Sequence, residues 1–270
     1  MKTLFAGPFI GEFGWELFNW QGYIRKMAEN YDRVIVSSRK NRKILYEDFC
    51  DEFVPYEVDV NNCAGWTCYG HKYNGKIHCK YNPTDFIYVD NEGDAFEVLN
   101  DKEQKFVSYG NKKESFDYDI IIHARMIIHR DSFKTLRNWS KDNWNKLIKK
   151  YLNDGYKVAS IGLSGSAEYI DGTIDLMDKD LKETSDILSN SRIIVGPSSG
   201  PMHFATLCKC PQLLWCSNQP GIGQGYKEIY QKKYNPFNIK SIVYDEEGWD
   251  PPYEKIYELT KNHLEGEQGS

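Results

Sequence analysis

Residues 195–211 read VGPSSGPMHFATLCKCP. The apolar run SRIIV leads into this stretch and QLLWC follows closely, so the pattern predicts a buried strand, a Pro-Ser-Ser-Gly-Pro loop, a short helix and a second buried strand. A hydrophobic core has no need of such a loop. Small residues at a helix start leave backbone N–H groups accessible, and this arrangement is typical of phosphate sites.

Strand and helix patterns alternate on both sides of this stretch. Ser140 is a good N-cap for a helix whose apolar residues recur at helical spacing. Because strands that alternate with helices form parallel sheets, the pattern predicts a doubly wound α/β unit. Its other predicted strands are residues 117–124, 156–162 and 241–244, and its other helices are 180–191 and 253–263.

The N-terminal part repeats this design on a smaller scale. Residues 2–7 predict a strand, 16–30 a helix and 33–38 a second strand. Residues 100–115 are polar and charged, which is typical of a linker. We therefore expect an α/β fold of two Rossmann-like halves facing a cleft, 1–115 and 116–270, with the N-terminal half reduced.

Composition limits the class of protein. The chain has 270 residues and a net charge of -5, which argues against a general nucleic-acid binder despite the basic cluster at residues 39–43. No stretch approaches the ~20 apolar residues of a membrane span, and the N-terminus lacks a signal-peptide core. Seven cysteines without framework spacing indicate a reducing compartment, so a cytoplasmic location is expected.

Several side chains are candidates for an anion site at the carboxyl edge of the second sheet, where ligands of open α/β sheets bind. Ser198, Ser199 and Gly200 form the loop, and His203 lies in the first helical turn. Arg125 follows the strand at 117–124 and so belongs to the same edge. An ordinary helix cap with a core histidine explains the loop residues equally well.

Four stretches resemble glycosyltransferase family 9, the ADP-heptose–lipopolysaccharide heptosyltransferases. GPSSGPMHFATLCKCP resembles the family signature D-T/S-G-P-M-H-x-A-A-x-x-G-x-P. Residues 136–162, 180–197 and 213–226 match further family motifs in the same order. The first loop, PFIGEFGWEL, resembles the shorter family pattern S-x-x-G-D. The resemblance covers residues 136–226 and the first β-loop-α unit.

The resemblance implies a GT-B fold and an inverting sugar transfer that needs no divalent metal. In the family the C-terminal half binds a nucleotide diphosphate sugar, and a carboxylate in the first loop is the general base. Glu12 takes the place of that carboxylate here, and Glu16, one turn on, is the second candidate. Such a base removes the proton from the acceptor hydroxyl as it attacks the anomeric carbon.

The resemblance also assigns donor-binding residues. Arg137 stands at the basic residue of the family pattern K-R-W, and Gly225 and Tyr226 lie in the last matching loop. Two departures concern the donor site. The aspartate of the family signature is Ser198, and K-R-W becomes Leu-Arg-Asn-Trp at residues 136–139, with one cation fewer.

A metal site has weaker support in the sequence. The side chains with ligand chemistry lack the tight spacing of a zinc knuckle. The D-x-D triplet at 117–119 precedes a predicted strand and the triplet at 178–180 precedes a predicted helix, whereas metal-dependent sugar transferases place such a triplet after a strand. We therefore expect no metal and no cofactor beyond the donor substrate. The possible zinc ligands are Cys63, Cys68, His71, His78 and Cys79.

These observations predict a glycosyltransferase that uses a nucleotide-sugar donor. The acceptor is expected to be a glycan or glycolipid, or else a modified nucleic-acid base contacted by residues 39–43. Two alternatives stay open: a nucleotide-sugar hydrolase or epimerase, and a nucleotide-sugar binding protein with a decayed site. The first would act without an acceptor, and the second would bind donor without turnover.

Overall fold

The computed structural model describes residues 1–9, 11–56, 77–88, 102–127, 137–217 and 226–266. The chain divides into two compact units, Met1–Val107 and Ser108–Ser270. Each unit contains a parallel sheet. The expectation of an α/β fold built on two parallel sheets is therefore confirmed.

The N-terminal unit is built on a four-stranded sheet of order β3-β2-β1-β4. Its strands are β1 (Thr3–Ala6), β2 (Arg33–Ser38), β3 (Glu52–Pro55) and β4 (Asp85–Ile87). Its helices are α1 (Phe13–Trp15), a π-helical turn (Glu16–Trp20), α2 (Gln21–Ala28) and 3-10 helices at Lys40–Leu45 and Ile77–Tyr81.

A glycine ends β1 where the chain passes close to β2. Gly7 has a φ of +111°, and a side chain there would collide with the carbonyl oxygen of Ser37. The same carbonyl accepts a hydrogen bond from the backbone N–H of Phe9 at 3.0 Å. Only glycine combines this backbone angle with so close an approach, and the result is that the loop before Glu12 lies against the end of β2.

The C-terminal unit holds a six-stranded sheet of order β10-β9-β8-β5-β6-β7. Its strands are β5 (Tyr118–Ile122), β6 (Val158–Gly162), β7 (Ile174–Met177), β8 (Ser191–Pro197), β9 (Gln212–Trp215) and β10 (Ser241–Tyr244). Its helices are α3 (Lys141–Asn153), α4 (Leu181–Ser189), α5 (Gly200–Leu207), α6 (Tyr226–Lys232) and α7 (Tyr253–Gly266).

Three tryptophans anchor the core of this unit. Trp139, Trp144 and Trp215 are buried and pack edge-on or tilted, with ring centroids 4.9–5.6 Å apart. Aromatic rings in such arrangements bury large apolar areas and add about 0.5–1.5 kcal/mol per pair beyond that burial. Trp139 also donates its indole N–H to the carbonyl of Pro251 at 3.0 Å. The segment before α3 is thereby fixed against the sheet.

The units divide between Val107 and Ser108, whereas the sequence pattern placed the division after residue 115. The intervening segment belongs to the C-terminal unit through backbone contacts. Tyr109 N–H donates to the carbonyl of Leu207 at 3.0 Å, and Lys113 N–H donates to Asn190 Oδ1 at 2.7 Å. Such contacts cannot be predicted from a polar sequence without periodicity, because backbone N–H groups make them and these are the same in nearly every residue.

Other elements departed from the sequence expectation. The first helix begins at Phe13 instead of residue 16, and a π-helical turn interrupts it. Three short strands, β3, β4 and β7, and the helix α6 were not expected. Because β7 ends at Met177, the D-x-D triplet at 178–180 directly follows a strand, so the sequence-based placement of that triplet was wrong. Strands of three or four residues carry too little alternation to be recognised from sequence. Within the described ranges, no helix is long and apolar enough to cross a membrane.

Candidate functional site

The Ser198–Ser199 loop joins the end of β8 to the start of α5 at the carboxyl edge of the six-stranded sheet. Gly196 makes room for it: a Cβ at this position would lie 2.9 Å from the carbonyl oxygen of His123, at the end of the neighbouring β5. A side chain there would push the two strand ends apart. The loop thus lies at the carboxyl edge of the sheet, where the sequence predicted an anion site.

The N-terminus of α5 has no side-chain cap. Ser199 is the N-cap residue, yet its hydroxyl makes no capping hydrogen bond. Its Oγ is buried and finds no hydrogen-bond partner among the described residues. The first intrahelical bond runs from His203 N–H to Ser199 O at 3.1 Å. By helix geometry the N–H groups of Gly200 and Met202 thus lack an acceptor within the helix.

The capped helices of the same unit show the contrast. Ser140 Oγ accepts from Asn143 N–H at 3.1 Å at the start of α3. Asp180 accepts from Glu183 N–H at 2.8 Å, and the Glu183 carboxylate accepts in return, which forms a capping box at α4. The start of α5, in contrast, has no side-chain cap from its own N-cap serine.

Ser198 is held by its surroundings. Its backbone N–H donates to the carbonyl of Trp215 at 2.9 Å, and its hydroxyl lies 2.8 Å from the hydroxyl of Tyr230. That Tyr230 hydroxyl is also 3.2 Å from Nε2 of His203, whose ring stacks on the tyrosine at 4.9 Å. The Ser198 hydroxyl, predicted as a ligand donor, therefore helps to hold α6 against the loop.

His203 is neutral in this setting. Burial lowers the pKa of His203 to about 3, and the positive charge of Arg137 adds to the effect. At neutral pH the imidazole thus carries no charge and offers a hydrogen-bonding nitrogen to the Tyr230 hydroxyl.

Arg137, a donor-binding candidate from the sequence, lies against the loop. Its Nη2 donates to the carbonyl of Ser198, and its guanidinium lies 4.9 Å from the ring centroid of Trp249. Neither of these partners carries a charge, and no carboxylate of the described ranges forms an ion pair with Arg137. Within those ranges, its positive charge is therefore not neutralised where the uncapped donors of α5 begin.

Arg125 has a different position. It is buried, and its Nη1 donates to Asn138 Oδ1 at 2.7 Å. The same Asn138 amide pairs with the backbone N–H and carbonyl of Ile127 at 3.1 and 3.0 Å. Arg125 thus holds Asn138, the residue next to Arg137, in place. The donor-binding role expected for Arg125 from the sequence stays a prediction.

The two candidate bases of the N-terminal unit differ in exposure. Glu12 is exposed and precedes α1 in extended conformation. Glu16, in the π-helical turn, is buried. The Glu16 carboxylate accepts from the hydroxyls of Ser38 and Tyr46, the latter at 2.6 Å, and lies 3.4 Å from Arg42 Nε.

Burial raises the pKa of Glu16, and the charge of Arg42 with the two hydroxyl donors opposes that rise. The guanidinium of Arg42 also lies 3.8 Å from the ring centroid of Phe13, the residue after Glu12. Arg42 is therefore engaged inside the unit, and the basic cluster at residues 39–43 is not a uniform surface for nucleic-acid phosphates.

Several predicted positions fall outside the described residues. Gly225 lies outside them, as do Cys63, Cys68 and His71, and of Tyr226 only the backbone is described. His78 and Cys79 are described, with Cys79 Sγ 3.4 Å from His78 Nε2. In the described ranges no three metal-ligating side chains come together. The interpretation of these five residues as zinc ligands stays a hypothesis from sequence.

Tyr230, Tyr234 and Trp249 belong to the site, and sequence reasoning missed them. The ring of Tyr234 meets His203 edge-on at 4.6 Å, which completes an aromatic layer beside the loop. The one available signal was that tyrosines recur at positions 226, 230 and 234, a helical spacing.

Comparisons with known proteins concern the fold. No protein-family model matches the sequence, and no curated protein does. Among solved structures, the E. coli ADP-heptose lipopolysaccharide heptosyltransferase II matches with a TM-score of 0.61 and 14% identity, over 99% of this chain and 100% of that one. A family 9 glycosyltransferase from Veillonella parvula matches with a TM-score of 0.54 and 14% identity, over 97% and 88%.

A third match is the iron-containing dodecameric glycosyltransferase TibC of enterotoxigenic E. coli, with a TM-score of 0.51 and 15% identity over 79% of this chain and 57% of that one. Metal independence accordingly stays a prediction. The fold predicted from the signature at residues 196–211 is confirmed: the chain has the GT-B-like α/β fold of the heptosyltransferases and other family 9 glycosyltransferases.

Proposed function

We propose that this chain is an inverting glycosyltransferase that moves a sugar from a nucleotide diphosphate sugar to an acceptor hydroxyl without a metal ion. One observation carries the proposal. The N-terminus of α5 leaves its donors and the Ser199 hydroxyl unused by the described residues, next to the positive charge of Arg137, in a fold shared with sugar transferases. An anion is the ligand that such an arrangement favours.

The donor diphosphate would bind the loop through three kinds of group. The N–H groups of Gly200 and Met202 and the Ser199 hydroxyl would donate to phosphate oxygens. Arg137 would supply positive charge as the bond between the anomeric carbon and the diphosphate breaks and negative charge builds on the departing phosphate. His203 lies beside the loop and is neutral, so it adds no charge of its own next to the diphosphate.

Glu12 is the better candidate for the base. An exposed carboxylate can accept the proton of an acceptor hydroxyl, which then attacks the anomeric carbon from the face opposite the diphosphate. Glu16 is less suited, because its oxygens already accept hydrogen bonds from Ser38 and Tyr46.

The acceptor we propose is a glycan or glycolipid. A lipopolysaccharide heptosyltransferase is among the solved structures of similar fold. The partly buried basic cluster at residues 39–43 offers no support for a nucleic-acid acceptor. The free thiols of buried Cys208 and Cys210 suit a reducing compartment, so we place the protein in the cytoplasm.

The test is thermal unfolding of the full chain with ADP, UDP, GDP and the corresponding nucleotide sugars, with and without EDTA. A ligand at about 100 times its Kd adds about 2.7 kcal/mol of stability. For a chain of this size such a gain raises Tm by several degrees. We expect one nucleotide to raise Tm equally in the presence and absence of EDTA.

An Arg137→Gln variant, which keeps a hydrogen-bonding side chain but loses the charge, should lose most of that shift. Absence of any shift with the wild-type chain would refute the donor site. A shift abolished by EDTA would refute metal independence alone. Release of free sugar without acceptor would favour the hydrolase alternative.

A further inference from the structure

Helix α6 brings a lysine to the edge of the sheet that carries the Ser198–Ser199 loop. Tyr230 of this helix contacts the Ser198 hydroxyl at 2.8 Å, so one helix face is turned toward the loop. Lys227 precedes Tyr230 by three residues and therefore shares that face. Lys232 lies on another face, where it pairs with Glu228.

The ion pair of Lys227 locates its ammonium group more closely. Lys227 Nζ lies 3.9 Å from a carboxylate oxygen of Asp245, which directly follows β10. At this edge Cys216 N–H donates to the carbonyl of Tyr244 at 3.1 Å, and Ser198 N–H donates to Trp215. The ends of β8, β9 and β10 thus lie side by side, with Lys227 at the β10 end.

The electrostatics of Cys216 agree with this placement. Burial raises the pKa of the Cys216 thiol to about 12, with help from Asp245, and the positive charges of Arg137 and Lys227 both oppose the rise. Both cations therefore act on one thiol, which immediately follows β9. Their charges reach the same part of the sheet edge.

The ammonium of Lys227 is available for a ligand. A distance of 3.9 Å is longer than a hydrogen bond, and the side chain is 54% exposed. Exposed ion pairs of this kind contribute little to stability. A four-carbon lysine side chain can exchange such a partner for a phosphate at small cost.

We propose that Lys227 is the second cation of the donor site: it leaves Asp245 and binds the diphosphate opposite Arg137. This inference rests on the proposed donor site and adds a residue from α6 to it. Asp245 would hold the ammonium near the site when no donor is bound, and Lys227 in turn would shield the diphosphate from that carboxylate.

The test compares Lys227→Met with Lys232→Met, a matched loss of one exposed lysine on the same helix. Isothermal titration with ADP, UDP and GDP should show binding of one of them to the wild-type chain. We expect Lys227→Met to weaken that binding about fivefold to tenfold, which corresponds to about 1–1.4 kcal/mol. The corresponding monophosphate should lose less, and 0.5 M NaCl should shrink the difference because salt screens the charge. Lys232→Met should bind as the wild type does.

The outcomes separate the two claims. Equal affinity of wild type and Lys227→Met would overturn the role of Lys227 and leave the donor site standing. An equal loss in both lysine variants would also overturn it, because the effect would then reflect net charge alone. Failure of the wild type to bind any of the three nucleotides would refute the proposed donor site, and the role of Lys227 with it.

Discussion

Two polar clusters lie at the carboxyl ends of the two sheets, and they differ in how their groups are satisfied. In the N-terminal unit, the Glu16 carboxylate meets Ser38, Tyr46 and Arg42. In the C-terminal unit, the Ser199 hydroxyl has no partner in the described part of the chain, and α5 has no side-chain cap. The buried carboxylate of the first cluster is thus paired inside its own unit, whereas the Ser199 hydroxyl of the second has no acceptor or donor among the described residues.

Under the proposed function, this difference separates polar groups that stabilise the fold from polar groups that bind the donor. A buried group that is already paired loses stability when its partner is removed, because a charge or hydrogen bond is left unsatisfied. A group without a partner can be removed at little cost to folding, and its loss appears in binding instead. The predictions below test this separation, from the largest expected effect to the smallest.

Glu12→Gln should abolish most turnover without loss of stability. A general base contributes about 10²–10⁴-fold to rate, and glutamine cannot accept the proton. The measurement is kcat with the nucleotide sugar identified by binding, together with urea unfolding. The free energy of unfolding should stay within about 0.5 kcal/mol of the wild type, because Glu12 is exposed. Full turnover by this variant would exclude Glu12 as the base.

Glu16→Ala should show the opposite pattern, a large loss of stability. Removing one partner of a buried pair leaves Arg42 uncompensated, which typically costs about 3–5 kcal/mol. Urea denaturation at pH 7 measures it, with Glu29→Ala as the control, since Glu29 pairs with Lys26 and Lys105 at the surface. A change below about 1 kcal/mol would contradict the view that the cluster is structural.

His203 should make the C-terminal unit sensitive to acid. Its folded pKa of about 3 lies below the unfolded value of 6.5, so the unfolded state binds a proton first as pH falls. The stability that this histidine contributes is complete above pH 6.5 and is lost as pH falls toward 3. At pH 5 the loss amounts to about 2 kcal/mol.

The measurement is the free energy of unfolding of wild type and His203→Gln at pH 7.5 and pH 5. His123, whose pKa burial lowers to about 4, is present in both chains and cancels in the comparison. The wild type should lose about 2 kcal/mol more than the variant. Parallel losses would mean that the His203 ring is not desolvated beside Tyr230.

Ser140→Ala and Ser199→Ala should differ although both remove an N-cap serine. Loss of the Ser140 cap should cost about 1 kcal/mol, because Asn143 N–H loses its acceptor. Ser199→Ala should change stability by less than about 0.5 kcal/mol, because its hydroxyl caps nothing, yet it should weaken nucleotide binding. Thermal unfolding with and without nucleotide measures both effects, and equal destabilisation would show that Ser199 is an ordinary cap.

Much of the fold follows from local pattern. The strand at 33–38 has the predicted bounds, and the helix that Ser140 caps starts where its serine and apolar spacing indicate. Helical spacing and caps act within a few residues, so they can be read from sequence. The π-helical turn at Glu16–Trp20 could not be predicted, because it depends on Glu16 reaching Ser38 and Tyr46 from other elements.

The sequence by itself determined that residues 195–211 form a strand, a small-residue loop and a helix, and that Arg137 is a candidate for that loop. Local hydrophobic periodicity and turn chemistry carry this information. Only the tertiary structure distinguished residues of the same type. The Ser198 hydroxyl contacts Tyr230, whereas the Ser199 hydroxyl caps nothing. Arg125 holds Asn138 while Arg137 contacts the loop, and Glu16 is buried while Glu12 is exposed. Burial and long-range partners set those roles, and both arise from packing between elements far apart in the chain.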